Sequence, residues 1–147
     1  AADFFTGFWS TALDEDELLT GVRLPVWGSP STRCGFAVRE IARRHGDFAV
    51  ASAGALLAVD ESGAVSRSAL AIGGVAAVPA RIAEAEAFLK GKLPTEENLR
   101  EAARACRSLE PLDDIHAPAA YRLHLGETMA RRALSKAAAR LAPIEGR

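Results

Sequence analysis

The side chains best suited to chemistry are clustered in five consecutive residues, Arg43 to Asp47, which read Arg-Arg-His-Gly-Asp. Two adjacent guanidinium groups repel each other unless a carboxylate, a phosphate or a partner surface offsets their charge. Asp47 could be that carboxylate, in which case the cluster is a structural turn. The sequence therefore leaves two interpretations open, a turn stabilised by its own aspartate and a site that meets an anionic group.

Outside this cluster the chain shows no recognisable active site. It contains neither a GxSxG nucleophile motif nor a GxxxxGK phosphate loop. The histidines His45, His116 and His124 have no paired spacing, so we expect no metal site. Asp113 and Asp114 beside His116 could form an acid-base group, but a proline-bracketed acidic loop is more typical of a turn or a helix cap. We therefore predict no catalytic residue in this chain.

Length and composition are those of one globular domain with a hydrophobic core. Of 147 residues, 49% are hydrophobic and 25% are charged, and the formal net charge is -1. A nearly neutral chain has no basic field for nucleic acid. Cys34 and Cys106 are far apart and form no CxxC motif, so we expect both to be reduced. The longest apolar run, Phe48 to Val59, is too short to cross a membrane, and no signal peptide precedes it, which favours the cytoplasm.

The cluster lies between two predicted strands. Alternation from Gly35 to Ile41 predicts the first, and Phe48 to Val59 is apolar on both faces, as in a central strand covered on each side. Asp60 to Gly63 is a predicted hairpin turn, and Ala64 to Ile72 a third strand. It ends at the pair Gly73-Gly74, as expected of a strand end that needs unusual backbone angles. The alternating segment Leu18 to Leu24, which a proline closes, predicts another strand.

The second half of the chain predicts three helices. The first begins near Pro79 and ends before Gly91, the second is capped by Thr95, and the third extends from Ala119 to about Leu141. Strands that come first and helices that follow indicate an α+β fold. We predict an antiparallel sheet of three to four strands followed by three helices packed on one face.

Four segments, taken in order, resemble a known family, and together they cover nearly the whole chain. They are Asp16-Glu17-Leu18-Leu19 running to Leu24-Pro25; Phe36-x-x-Arg39-x-x-x-Arg43-Arg44-x-Gly46-Asp47-Phe48-Ala49; Gly73-Gly74-Val75-Ala76 with Pro79 and Arg81; and Tyr121-Arg122 with Arg131-Arg132-Ala133-Leu134. The resemblance is to the C-terminal domain of the FAD-binding medium subunit of the molybdenum hydroxylases, the carbon monoxide dehydrogenase and xanthine dehydrogenase family.

The resemblance implies an oxidoreductase in which this chain is one part. Electrons would pass from [2Fe-2S] clusters through FAD to an external acceptor. FAD would belong to the full-length subunit and not be retained by the fragment, which alone would be inactive. The partners would be an iron-sulfur small subunit, a molybdopterin large subunit and the N-terminal FAD-binding domain of the same subunit. Residues 1–27 would be the tail of that FAD-binding domain and a linker, residues 28–142 the flavoprotein C-terminal domain, and residues 143–147 a tail.

The same resemblance implies which residues meet the cofactor. It places flavin-ring contacts at Leu18 and Arg39, and a loop that closes over the flavin edge directly after Arg39. The cofactor-binding residues would then be Leu18, Arg39, Arg43, Arg44 and Asp47. A positive charge near the ring would stabilise its reduced anionic form, which gives the arginines a physical role.

An alternative from the residues alone is a free-standing α+β binding or oligomerisation domain. Arg132, Lys136 and Arg140 recur every four positions on the last predicted helix and could bind an acidic partner. A solvated helix face is the simpler interpretation of that spacing. An independent small enzyme ranks last, because the sequence supplies no nucleophile or metal constellation.

Overall fold

An antiparallel four-stranded sheet organises the computed structural model, which describes residues 3–27 and 32–141. The sheet order is β3-β4-β5-β6, and β1 and β2 form a separate small hairpin. In chain order the elements are β1 (Phe5–Gly7), β2 (Ser10–Thr11), β3 (Arg33–Ala42), β4 (Ala49–Val59), β5 (Val65–Gly73), β6 (Ala80–Arg81), α1 (Ala83–Leu89), α2 (Glu96–Arg104), a 3₁₀ turn (Ala105–Ser108) and α3 (Ala119–Ala138). The predicted α+β fold, with strands before helices, is confirmed.

One face of the sheet and the helices enclose the core. Leu57 and Leu70 from the sheet and Leu134 from α3 are fully buried, and α3 packs across β3 and β4. Small inward side chains on these strands, such as Ala37 and Ala53, let the helix backbone come close to the sheet. Each fully buried leucine contributes about 2 kcal/mol relative to an exposed one, so this face supplies most of the stability.

The opposite face of the sheet is open, which corrects the expectation that β4 is covered on both sides. Phe36 is 63% exposed and Val38 is 65% exposed, and Gly54 has open space above it. The apolar composition of β4 does not reflect two covered faces, because α1 and α3 pack on one face of the sheet, with α2 against these helices, and residues 3–27 leave most of the other face exposed. The apolar outer face is unusual, since solvent-facing antiparallel sheets are commonly polar.

The strand predicted at Leu18 to Leu24 is also wrong. These residues form no ladder in the structure and lie in an exposed stretch, residues 12–26, which we call the arm. Val22 is 75% exposed and Leu24 is 81% exposed. Alternation gives a segment the pattern of a strand, but a strand forms only where a partner edge is present.

The turn and the helix cap that the sequence predicts from adjacent residues are present in the structure. Asp60 to Gly63 forms the predicted hairpin turn, with Gly63 at φ 83° and its N–H donating to the Asp60 carbonyl at 3.0 Å. The Thr95 hydroxyl accepts from the Asn98 N–H at 3.3 Å and caps α2 as predicted. The first helix starts later than predicted, at Ala83, because the residues after Pro79 pair with β5 as β6.

Membrane-spanning helices, metal-binding groups and cysteine pairing can be compared with the sequence predictions for the described residues. No helix within residues 3–27 and 32–141 is long and apolar enough to cross a membrane. The same residues contain no group of metal-ligating side chains. Cys34 and Cys106 are both free thiols, and burial raises the pKa of Cys106 to about 12, so that thiol is chemically inert. The predicted boundary at residue 28 and the tail at residues 143–147 lie outside the described residues.

Candidate functional site

The cationic cluster forms an exposed turn between β3 and β4. A bulge between Ile41 and Ala42 ends the regular pairing, and the chain reverses through Gly46, which adopts φ 81°. The Asp47 N–H donates to the Arg44 carbonyl at 3.2 Å, and the Asp47 carboxylate accepts from the Phe48 N–H at 2.9 Å. We call Arg43 to Asp47 the cationic turn. All five residues are exposed, at the end of the sheet where β3 leads into β4.

The charges of the cationic turn are only partly paired. A nitrogen of Arg43 lies 3.7 Å from an Asp47 oxygen, a long and exposed contact that contributes little. Arg44 makes no ion pair with any residue in the described part of the chain. Together with Glu40 and Ala42, the turn lines an open groove of about 500 Å³. Asp47 therefore offsets one arginine, as the structural interpretation requires, and leaves Arg44 available to a ligand.

Arg39 lies in a different place from the turn. Its side chain is on the helix side of β3, where a nitrogen donates to the Val38 carbonyl at 3.0 Å. It lines a second groove, of about 430 Å³, together with residues of α3 such as Arg131 and Arg132. The family resemblance predicts that Arg39 and the cationic turn belong to one flavin site, but the structure places them in separate grooves.

Leu18 lies on the arm and is 82% exposed. The structure does not bring it into either cationic groove. Its neighbours Leu19 and Val22 line an apolar groove of about 470 Å³ with Phe4 and Phe5. One contact connects the N-terminal segment to the turn, because the Trp9 ring packs edge-on against Phe48, directly after the turn, with 6.0 Å between centroids.

A buried arginine to which the sequence analysis assigns no structural role, Arg122, joins the segments at the base of the turn. Arg122, on α3, donates from one nitrogen to the carbonyls of Val50 at 3.1 Å and Gly74 at 2.7 Å. Its other terminal nitrogen meets both oxygens of Asp114, at 2.9 and 2.8 Å. We call this arrangement the Arg122 clasp. It joins the start of β4, three residues after the cationic turn, to the end of β5 and to the loop before α3.

Asp114 and Gly74 both belong to the clasp, although the sequence pattern predicts only a local role for each. Asp114 is predicted to lie in a solvated turn, and its carboxylate does accept from the N–H groups of His116 and Ala117 at 2.8 and 3.0 Å. The hydrogen bonds from Arg122, with smaller contributions from these N–H groups, lower the pKa of Asp114 to about 2. Gly74, expected at an unusual backbone angle, has φ 77°, and a Cβ there would lie 2.7 Å from the Ala49 carbonyl oxygen.

The arm and the outer sheet face both expose large apolar side chains. Trp27, directly after the arm, stacks on the Arg67 guanidinium at 4.0 Å, while Trp9 contacts Phe48 and is 92% exposed. On the outer sheet face Phe36 and Val38 are also exposed. Large apolar side chains exposed in this number are typical of an interface with another protein body.

Comparison with known proteins gives a consistent assignment. The family described as CO dehydrogenase flavoprotein C-terminal domain matches residues 36–137. The carbon monoxide dehydrogenase medium chain of Afipia carboxidovorans is 33% identical over 95% of this chain and 48% of the relative. The nicotine 6-hydroxylase medium subunit of Paenarthrobacter nicotinovorans is 34% identical over the same shares.

A solved structure agrees with the sequence relatives. Carbon monoxide dehydrogenase from Hydrogenophaga pseudoflava, in a form that lacks the Mo-pyranopterin moiety of its molybdenum cofactor, superposes with a TM-score of 0.86 at 33% identity. The alignment covers 95% of this chain and 48% of that chain. The chain thus spans about half the length of the relatives it matches. Because the family match covers more than half of the chain and the relatives agree with it, the chain belongs to the CO dehydrogenase flavoprotein C-terminal domain family.

Proposed function

We propose that this chain is the C-terminal part of the flavoprotein subunit of a molybdenum-containing hydroxylase or dehydrogenase. It would form one wall of the FAD pocket and help to pass electrons from [2Fe-2S] clusters through FAD to an external acceptor. The observation that carries this proposal is the open position of the cationic turn at the end of the sheet, where Arg44 forms no ion pair with the described residues. A planar anionic ring could reach this turn without displacing any helix.

The side chains present fit the edge of a flavin better than its pyrophosphate. Guanidinium groups of Arg43 and Arg44 are suitable partners for a ring that carries negative charge. Pyrophosphate is usually held by glycine-rich loops at helix N-termini. Gly74, at a positive φ, is packed against the backbone of Ala49 and Val50, and the glycines of the described segments form no such loop. In this proposal the preceding domain holds the pyrophosphate, and the described part of this chain forms one wall of the pocket.

Each proposed contact residue has a distinct task. When bound, FAD supplies the redox chemistry, and the protein sets its position and potential. Arg44 supplies positive potential at the ring edge, and Asp47 offsets part of the charge of Arg43 beside it. Leu18 on the exposed arm would exclude water from the ring. Arg39 faces the other side of β3, so we assign it a longer-range electrostatic contribution.

The partners are proposed on the same basis. They would be an iron-sulfur small subunit, a molybdopterin large subunit and a preceding FAD-binding domain, all in the cytoplasm. Support comes from the relatives, whose names denote a medium chain or a medium subunit among several. The exposed arm and the apolar outer sheet face provide the surface on which a preceding domain could pack.

A free-standing binding domain remains the second candidate, because Arg131 and Arg132 of α3 line a groove with other cations and form no ion pair within the described ranges. The exposed arm argues against it. A domain that functions alone would leave Trp9, Leu18 and Leu24 in water, where large apolar side chains favour association. We therefore prefer a role within a larger assembly.

FAD titration distinguishes these candidates. We expect the 147-residue chain to bind FAD with a Kd above about 100 μM, because it offers only one wall. A complete subunit that carries the preceding half should bind below about 1 μM under the same conditions. Flavin fluorescence quenching measures both values, and circular dichroism shows that the short chain is folded. Tight FAD binding by the short chain alone would contradict the proposal.

A further inference from the structure

A second cationic surface lies on the helix side of β3, apart from the cationic turn. Arg39 from β3 and Arg131, Arg132 and Lys136 from α3 line one groove of about 430 Å³, with Glu96 from the start of α2 at its border. We call it the α3 groove. It presents four cations and one carboxylate, although the whole chain carries a formal net charge of -1.

The cations of the α3 groove form no ion pair with the described residues, whereas several arginines on other elements are paired. Arg131, Arg132 and Lys136 form no ion pair with any residue of the described ranges. By contrast, each of the following pairs has a nitrogen-oxygen distance below 3 Å: Arg81 with Glu86, Arg104 with Glu101, Arg107 with Glu127 and Arg122 with Asp114. Like charges at Arg132 and Lys136, four positions apart on a helix, destabilise the helix slightly.

Helix stabilisation explains only part of this pattern. Lys136 is in the last turn of α3, where a cation complements the negative end of the helix dipole. Arg131 and Arg132 lie before the last turn of the helix, where the interaction of a cation with the helix dipole is weak. Arg39 belongs to another element altogether. The convergence of three side chains without a dipole role on one concave surface indicates recognition of an external anion.

The shape of the groove favours a protein partner over a phosphate ligand. The α3 cations extend over roughly 7 Å of helix, given a rise of about 1.5 Å per residue, so one phosphate cannot meet them all. The groove contains no glycine-rich loop, and its carboxylate Glu96 would repel a compact anion. Several spaced carboxylates on a protein surface match this layout.

We propose that the α3 groove docks an acidic surface of a partner subunit, with two or more carboxylates facing Arg131, Arg132 and Lys136. This inference rests on the proposed function, since it assumes a multi-subunit enzyme, and it adds which face of this domain meets the partner and by what chemistry. The apolar arm and the cationic turn remain available to the preceding domain and FAD, because both are outside the groove.

Charge reversal in the assembled protein tests the docking surface. The complete flavoprotein subunit, purified with the subunits that assemble with it, is compared with its Arg131→Glu/Arg132→Glu variant. Native mass spectrometry at two salt concentrations measures the fraction assembled. We expect assembly of the variant to weaken at least about 10-fold, and assembly of the unaltered protein to weaken as salt rises. The matched control is Lys90→Glu/Arg100→Glu, which changes the net charge equally outside the groove and should alter assembly less than about 2-fold.

The outcomes separate this inference from the proposed function. Unchanged assembly of the Arg131→Glu/Arg132→Glu variant, with partners still bound, overturns the docking surface alone. Equal weakening by the control variant also overturns it, because the effect would then follow net charge. A subunit that purifies without any partner contradicts both proposals. Weakening confined to the groove variant, together with FAD content equal to that of the unaltered protein, supports the docking surface.

Discussion

Replacing Gly35 by alanine is expected to destabilise the protein by about 3 kcal/mol, at the upper end of the range for overpacked sites. Gly35 lies on the inner face of β3, where α3 comes closest to the sheet. An added Cβ would lie 3.1 Å from the carbonyl carbons of Ala137 and Arg140, and closer still to the Ala137 carbonyl oxygen. These atoms belong to backbone and cannot rotate away. The midpoint of urea unfolding, with an unchanged m-value, measures the loss.

Gly54→Ala is the matched control, because Gly54 is also a strand residue of the same sheet. Its added Cβ would point to the open face and meet no atom within 4 Å. Its stability should stay within about 0.5 kcal/mol of the unaltered protein or rise slightly, since alanine restricts the unfolded chain. Equal losses at Gly35 and Gly54 would show that α3 does not approach β3 as described.

Replacing Arg122 by methionine is expected to cost about 2–4 kcal/mol of stability. Methionine fills a similar volume but leaves the carbonyls of Val50 and Gly74 without their donor, at about 1–3 kcal/mol for each unsatisfied group. Thermal or urea unfolding gives the value. Arg107→Met is the control, because it removes an arginine that is 65% exposed and paired with Glu127. Exposed ion pairs contribute little to stability. If Arg107→Met lost as much stability as Arg122→Met, the result would contradict the role of the clasp.

The acid dependence of stability provides a second readout of the clasp. In the folded protein Arg122 holds the pKa of Asp114 at about 2, below the value of about 3.9 for an unfolded aspartate. The unfolded state therefore binds more protons between these values. The resulting stabilisation is fully present above about pH 4 and is lost as the pH falls towards 2. Arg122→Met should flatten the stability profile in this window, while Arg107→Met should leave it unchanged.

Features set by neighbouring residues could be predicted from the sequence. The hairpin turn at Asp60 to Gly63, the Thr95 cap and the left-handed glycine at Gly74 each depend on a few adjacent positions. The α+β architecture followed from the order of strand and helix patterns. The wrong predictions concern segments whose structure depends on residues that are distant in the sequence. Leu18 to Leu24 has a strand pattern but no strand edge to pair with. The residues after Pro79 form a strand because the edge of β5 is available for pairing.

The candidate site was harder to predict for the same reason. The Arg122 clasp joins residues that are 72 and 48 positions apart, and only the fold brings Val50 and Gly74 to α3. Arg39 and Arg44 are close in sequence, yet strand alternation directs Arg39 towards the helices, and the bulge after Ile41 carries the turn away from them. Sequence patterns therefore located the charged residues but could not group them into sites.

The reduction potential of bound flavin tests the central claim most directly, that the cationic turn meets FAD. Arg44→Ser in the complete flavoprotein subunit removes the arginine of the turn that has no ion pair among the described residues. We expect the two-electron midpoint potential to fall on the order of 20 mV, because positive charge near the ring favours its reduced anionic form. The control Arg100→Ser removes an exposed cation on α2 and should leave the potential unchanged. An Arg44→Ser protein with the potential of the unaltered subunit would contradict a flavin at this turn.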